Sequence, residues 1–214
     1  MYRKDQKKEF YTLKARQEGY PARSVYKLKE IDEKFHIIKN GDKVLDLGSA
    51  PGSWLLYVAN KVGRQGKVFG VDIADLNIKP PKNPLTTPRE NLEHEPGNIR
   101  FIKKSIFDLT DEDFKGFGGN FNSVISDMAP NTSGYVPKDA AESLKLSRTA
   151  FEIAKRFLKK GGNFVCKIFD GEDADAFIKE VGDSFEVLKR ARPAAVVKRS
   201  KEFYIVAKGF RSGI

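Results

Sequence analysis

From Lys43 onward the chain alternates between short runs dense in β-branched and aromatic residues and longer stretches whose apolar residues return every three or four positions, the pattern of strands interleaved with amphipathic helices. KVLDLG, GKVFGVDI, IRFIKKS, NSVISDMAP, GNFVCKIF, FEVLKR and EFYIVAKGF read as seven strands. The early ones are almost continuously apolar, as parallel strands covered on both faces must be. Only the short segment Arg192–Ser200 separates the last two, which permits an antiparallel finish. Helical spacing predicts helices over Ser53–Val62 and Ala141–Leu158, the second closed by Lys159 and Lys160 and capped by the glycines that follow. Two further helices, Asp5–Gln17 and Ala22–Phe35, precede the first strand and are broken at Gly19-Tyr20-Pro21. Asn77–Gly97 carries several prolines and few large apolar residues, and reads as a long surface loop with at most a short helix. The expected architecture is a doubly wound, Rossmann-like α/β fold: a seven-stranded, mostly parallel sheet with helices on both faces. One domain is expected over residues 1–214, with residues 1–40 as a helical appendage and residues 41–214 as the α/β core.

With 214 residues, 40% of them hydrophobic, the chain has material for one good core. A net charge of +10 adds a partner class: a polyanion such as RNA or DNA, or an anionic membrane surface. No apolar run is long enough to cross a bilayer, and the opening MYRKDQKKEF lacks the apolar stretch of a secretory signal. A cytoplasmic location without membrane association is therefore expected. Cys166 is the lone cysteine, and with only His36 and His94 beside it no metal-ligand spacing exists, so no metal is expected.

The first strand runs through Asp46 and Gly48 into a glycine turn and then a helix, DLGSAPGSW. At such a junction the backbone comes close to a ligand and the helix N-terminus offers free amides, so Gly48, Gly52, Ser53 and Trp54 join Asp46 as candidate binding residues. The spacing fits neither G-x-G-x-x-G nor a Walker lysine, which disfavours phosphate binding and a nicotinamide-dependent dehydrogenase. Asp72 ends the second strand, where a carboxylate can accept both hydroxyls of a ribose, and Asp108 follows the third within reach of an adenine amino group. An aspartate at a strand end is often only a turn former. Three in order, at Asp46, Asp72 and Asp108, fit an adenosine ligand without phosphates.

A second cluster comprises Asp127 after SVIS, Lys167 after FVC, Lys27 in the appendage and Glu202 opening the last strand. A lysine that ends a buried run is unusual. If Lys27 and Lys167 share a pocket, their repulsion favours a neutral amine on one of them, which can act as a general base, while Asp127 and Glu202 limit the positive charge. Cys166 is better read as a small buried strand residue, its side chain opposite to that of Lys167.

The segments DLGSAPGSW, SDMAPNTSG and VCKIF closely resemble the FtsJ family of ribosomal RNA 2′-O-methyltransferases, and the similarity covers essentially the whole chain. The resemblance implies S-adenosylmethionine as cofactor, held by Gly52, Trp54, Asp72, Asp108 and Asp127. It also implies a Lys-Asp-Lys-Glu tetrad at Lys27, Asp127, Lys167 and Glu202, with Lys167 accepting the proton of a ribose 2′-hydroxyl. The implied substrate is a uridine of 23S large-subunit ribosomal RNA, free or in the subunit, with transfer RNA as the alternative and a monomer expected. A catalytically idle RNA-binding protein on the same fold is a rival, against which all four tetrad residues argue.

Basic charge gathers at both ends: nine Lys or Arg against three acids in the first 29 residues, and eight against one in Leu188–Ile214. If the appendage lies beside Glu202, these segments form one basic rim facing RNA. Arg3, Lys4, Lys7, Lys8, Arg23, Arg192, Lys198, Arg199 and Lys201 are the candidate contacts, and Tyr20, Tyr26 and Trp54 could stack on a base.

Overall fold

A computed structural model describes residues 2–78, 98–115, 119–196 and 200–211, with side chains from residue 8 onward. Seven strands, β1 (Lys43–Leu47), β2 (Lys67–Asp72), β3 (Ile99–Lys103), β4 (Phe121–Ser126), β5 (Leu158–Phe169), β6 (Phe185–Ala191) and β7 (Glu202–Phe210), form one sheet in the order β3-β2-β1-β4-β5-β7-β6. The first five are parallel, and β7 runs antiparallel between β5 and β6. The strand order reverses at β1, which has β2 on one side and β4 on the other. Ligands of open α/β sheets bind at this switch point, beyond the C-terminal ends of the strands.

Six helices complete the described chain: α1 (Tyr2–Gln17), α2 (Val25–Phe35), α3 (Ser53–Val62), α4 (Asp111–Lys115), α5 (Val136–Phe157) and α6 (Ala174–Asp183). Alternation along the strands splits the core into two layers. Leu45, Leu47, Val124, Phe164 and Cys166 pack with Phe151 of α5 and Phe177 of α6. Val44, Ile125, Val165 and Tyr204 pack on the other face with Leu28 and Ile31 of α2 and Trp54 and Val58 of α3.

Several boundaries differ from the sequence pattern. Helix α5 starts at Val136 rather than Ala141, because the exposed residues 136–138 have no core to meet and so carry no apolar period. At its other end the glycine cap is replaced: Leu158 turns extended, buries its side chain and pairs with Phe121, and Gly161 makes a turn inside the irregular start of β5 at φ +77°. Helix α2 starts at Val25 rather than Ala22, whose amide instead donates to Ser53 Oγ. The prolines, the expected loop and His94 within residues 79–97 lie outside the described residues.

The appendage is tied to the sheet by a buried carboxylate. Asp32, at the end of α2, accepts the amides of Ile37 and Ile38 on Oδ1, while Oδ2 takes the Tyr57 hydroxyl at 2.7 Å and Lys61 Nζ at 3.1 Å. Replacing Asp32 by alanine strands two buried amides and a phenol, so Asp32→Ala should cost ~3 kcal/mol. Urea unfolding checks this: the midpoint should fall with an unchanged slope.

Candidate functional site

The crevice at the switch point begins with β1. Asp46 is fully buried, and neither oxygen of its carboxylate has a hydrogen-bond partner among the described residues. Burial, then the charges of Asp127 and Asp72, push its pKa well above the ordinary carboxylate range. A buried carboxylate without partners is costly, and a cationic group of a ligand would relieve it. Beyond Asp46 the chain turns through Gly48 at φ +80°, where a side chain would put Cβ 2.3 Å from Met128 Cγ. Gly52, at φ +109°, precedes the first turn of α3, and a Cβ there would lie 2.7 Å from Ile78. Both positions require glycine, by backbone angle and by space.

Asp72 ends β2 and stabilises this turn: Oδ2 accepts the Ala50 amide at 2.9 Å and Oδ1 the Ala74 amide at 2.8 Å. Each oxygen keeps lone-pair capacity for a further donor. Asp108 is exposed at the end of a short 3-10 turn after β3. The Ser53 and Trp54 side chains bond to the appendage. Ser53 Oγ accepts from Ala22, and Trp54 Nε1 donates to the Ser24 carbonyl at 2.9 Å, so both side chains hold the appendage and only their backbone remains for a ligand. The buried pocket that Trp54 shares with Tyr204 also excludes it as a base-stacking surface.

Across the crevice, where β4 ends, the second cluster assembles around one carboxylate. Asp127 Oδ1 lies 3.1 Å from Lys167 Nζ and 3.8 Å from Lys27 Nζ, and accepts the Tyr204 hydroxyl at 2.6 Å. Lys27 also meets Glu202 Oε1 at 2.6 Å, and Lys167 Nζ donates to the backbone carbonyl of Asp127. The four residues expected from the sequence thus meet in one place, although Lys27 and Glu202 are 175 positions apart. Burial alone would raise the pKa of Asp127, but Lys167, Lys27 and the Tyr204 hydroxyl outweigh it and hold the carboxyl below its usual range. Lys167 is 6% exposed, and its amine is held by the carboxylate and the carbonyl of Asp127.

The sequence reading missed three supports of this cluster. Tyr204 is fully buried, and burial followed by the charges of Asp127 and Glu202 raises its pKa, keeping the phenol a donor. Its signal was present, since residues two apart on a strand share a face, which places Tyr204 beside Glu202. Ser147 and Ser143 of α5 fix the end of β5, the first donating to the Lys167 carbonyl and the second accepting the Phe169 amide. Nothing local marks a helix serine as the partner of a strand. Cys166 is buried on the opposite face from Lys167, and burial pushes its thiol up to about 12, which leaves no nucleophile.

The two basic ends lie together. The Ala194 amide donates to Glu30 Oε2 at 2.6 Å, and Arg23 Nη1 donates to the Ala195 carbonyl, so the β6–β7 connection rests on α2. Arg192 donates to the Ser200 carbonyl. Lys8 and Lys201 are exposed, whereas Tyr26 is packed against Tyr11 and the half-buried Tyr20 ring lies under Lys29. Lys198 and Arg199, and the side chains of Arg3, Lys4 and Lys7, lie outside the described residues. No helix among the described residues is long and apolar enough to cross a membrane, and no group of candidate metal ligands occurs among them.

Comparison with known proteins follows the same outline. A protein from Desulfatibacillum aliphaticivorans named ribosomal RNA large subunit methyltransferase E is 43% identical over 206 residues, 96% of this chain and 92% of its own. One of the same name from Bdellovibrio bacteriovorus is 41% identical, over 93% of this chain and 95% of its own. A crystal structure from Plasmodium falciparum superposes with a TM-score of 0.73 at 22% identity, covering 91% of this chain and all of that one. Aeropyrum pernix fibrillarin, crystallised with natively bound S-adenosyl-L-methionine, reaches 0.51 at 21% identity, covering 80% and 68%. The family model described as FtsJ-like methyltransferase matches residues 20–210, and the chain belongs to that family.

Proposed function

We propose that the protein transfers the methyl group of S-adenosylmethionine to a ribose 2′-hydroxyl of large-subunit ribosomal RNA. The observation that carries this reading is the convergence of Lys27, Lys167 and Tyr204 on one half-buried Asp127 carboxylate, across the switch-point crevice from the unpartnered Asp46. The names of the curated relatives support the choice of RNA.

The crevice suits this cofactor. Asp46 offers a buried anion to a cationic ligand, Gly48 and Gly52 leave space that a Cβ would fill, and Asp72 retains acceptor capacity at the end of β2. When bound, S-adenosylmethionine supplies an electrophilic methyl on a cationic sulfonium that leaves as a neutral thioether, so the site sheds one positive charge with the methyl.

The Lys167 amine, in its neutral form, restores that charge by taking the hydroxyl proton on Nζ as the oxygen attacks the methyl in line. Asp127, held ionised, fixes the Lys167 amine at 3.1 Å and stays paired before and after the proton moves. Tyr204 and Lys27 satisfy the same carboxylate oxygen and so orient it. Glu202 holds Lys27 in the cluster at 2.6 Å. Basic residues of the segments that carry Lys27 and Glu202 would receive the phosphates that flank the target nucleotide.

The direct test is transfer of radiolabelled methyl to undermethylated large subunits, naked ribosomal RNA and transfer RNA in parallel, followed by nucleoside analysis. Label in a 2′-O-methyluridine of large-subunit RNA supports the reading; label confined to transfer RNA overturns the substrate. Lys167→Ala should lower kcat by at least ~100-fold, the scale of general base catalysis, and leave cofactor affinity within a few fold. An active Lys167→Ala enzyme would remove Lys167 as the base.

The raised Asp46 pKa predicts proton-linked cofactor binding. Below its folded pKa the neutral acid dominates, and a cationic ligand prefers the anion. Cofactor affinity should therefore strengthen as pH rises through a range above the normal ~4 of a carboxyl group and then level off, with release of a proton. Calorimetry in buffers of different ionisation enthalpy measures that release, and Asp46→Asn should abolish it.

A further inference from the structure

Helix α5 is longer than the sheet it covers. Ser147 is level with Lys167 and Ser143 with Phe169, the last residue of β5, so the first turns of α5 stand beyond the strand ends. Tyr135 sits at the tip of this overhang, eight residues before Ser143 and ~12 Å past the end of β5 at 1.5 Å per helical residue. The overhang rises where β4 and β5 end, on the sheet face opposite to the Lys167 side chain.

Tyr135 is 66% exposed, and Val136 beside it is 46% exposed. Exposed apolar residues are common, but here the backbone beside the ring is held by side-chain bonds. The Asp139 carboxylate accepts the Ser133 amide and hydroxyl at 2.7 and 2.8 Å and the Gly134 amide at 3.1 Å, bonds that hold its pKa below the usual value. The Tyr135 amide donates to Ser133 Oγ, and its carbonyl accepts the Asp139 amide at 3.0 Å. The backbone on both sides of the ring is thus fixed before anything binds, which spares the ordering cost of association. The fixed turn gives the ring no core to join.

Charge selects what the ring meets. The overhang touches the loop that follows β5, where a Cβ on Gly171 would lie 2.8 Å from Ala140 Cβ. The overhang and the loop carry Asp139, Glu142, Glu172 and Asp173 against Lys138, while Asp170 at the start of the loop meets the basic β6–β7 connection, its amide donating to the Lys201 carbonyl, so the overhang repels phosphates while the appendage across the pocket attracts them. An RNA strand crossing the pocket would lay its backbone on the basic side and turn its bases toward the acidic one. Stacking on an aromatic ring requires no charge on the base.

We propose that Tyr135 is a stacking platform for an unpaired nucleobase flanking the target nucleotide. The ring is too far from Lys167 to touch the reacting ribose, so it positions the substrate and does no chemistry. This assignment rests on the RNA substrate proposed above.

The experiment varies RNA concentration at saturating cofactor for the wild type, Tyr135→Ala, Tyr135→Phe and Tyr135→Trp. Tyr135→Ala should raise the KM for RNA ~10-fold, the scale of one lost base–aromatic stack, with kcat and calorimetric cofactor affinity unchanged. Tyr135→Phe and Tyr135→Trp should return KM to within ~2-fold of wild type, since stacking needs only the ring. The salt dependence of RNA binding should keep its slope in Tyr135→Ala, because no phosphate contact is lost. An unchanged KM in Tyr135→Ala, failure of phenylalanine to rescue, or a shallower salt slope would each overturn the assignment. Wild type that methylates no RNA would overturn the parent reading with it, whereas active wild type with an indifferent Tyr135→Ala would remove only the stacking platform.

Discussion

A carboxylate taken out of water must be met by donors or positive charge, or it gives up its own charge. Asp127 is met from three directions: by Lys167 on the neighbouring parallel strand, by Tyr204 on the antiparallel strand beyond it, and by Lys27 on a helix outside the sheet. Its pairing therefore depends on β4, β5, β7 and α2 standing in one arrangement. If any of them shifts, the cluster loses part of the compensation for its charges, which costs more than the lost bond alone contributes.

That dependence explains the investment in docking the appendage. Lys27 reaches Asp127 and Glu202 only while α2 lies on α3, and this contact is secured by apolar packing of Leu28 and Ile31 and by polar ties at both ends of α2. Near its start, Ala22 and Ser24 bond to Ser53 and Trp54; at its end, Asp32 collects two amides, a phenol and an ammonium. Ser53 and Trp54 follow directly from the glycine turn, so the element that shapes the ligand crevice also anchors the helix carrying Lys27. The two halves of the site are built on shared residues.

The opposite treatment of Asp46 marks a different task. Asp127 is satisfied within the chain, whereas Asp46, on the adjacent strand β1, has burial and repulsion without a donor among the described residues. A satisfied carboxylate orients a lysine through a reaction; an unsatisfied one waits for a cation. The α5 overhang extends the same division of labour outward, with basic segments on the α2 side and an acidic wall carrying Tyr135 on the other.

Whatever depends on local spacing was legible in the amino-acid order alone. Apolar periods drew all seven strands, the DLGSAPGSW turn located the ligand end of the sheet, and the resemblance named Lys27, Asp127, Lys167 and Glu202. Burial leaves its mark residue by residue, and backbone angles such as those at Gly48 and Gly52 admit few side chains, so both kinds of information survive in one dimension. Tertiary structure decided which side chains the ligand keeps and which the fold consumes: Ser53 and Trp54 went to the appendage, and Asp72 divides its oxygens between two amides. It also recruited Tyr204, Ser143 and Ser147 to the site and extended α5 past the sheet, where no core contact imposes a period on the sequence. A hydrogen bond between residues far apart in the chain leaves no local pattern, because either partner alone is an ordinary polar residue.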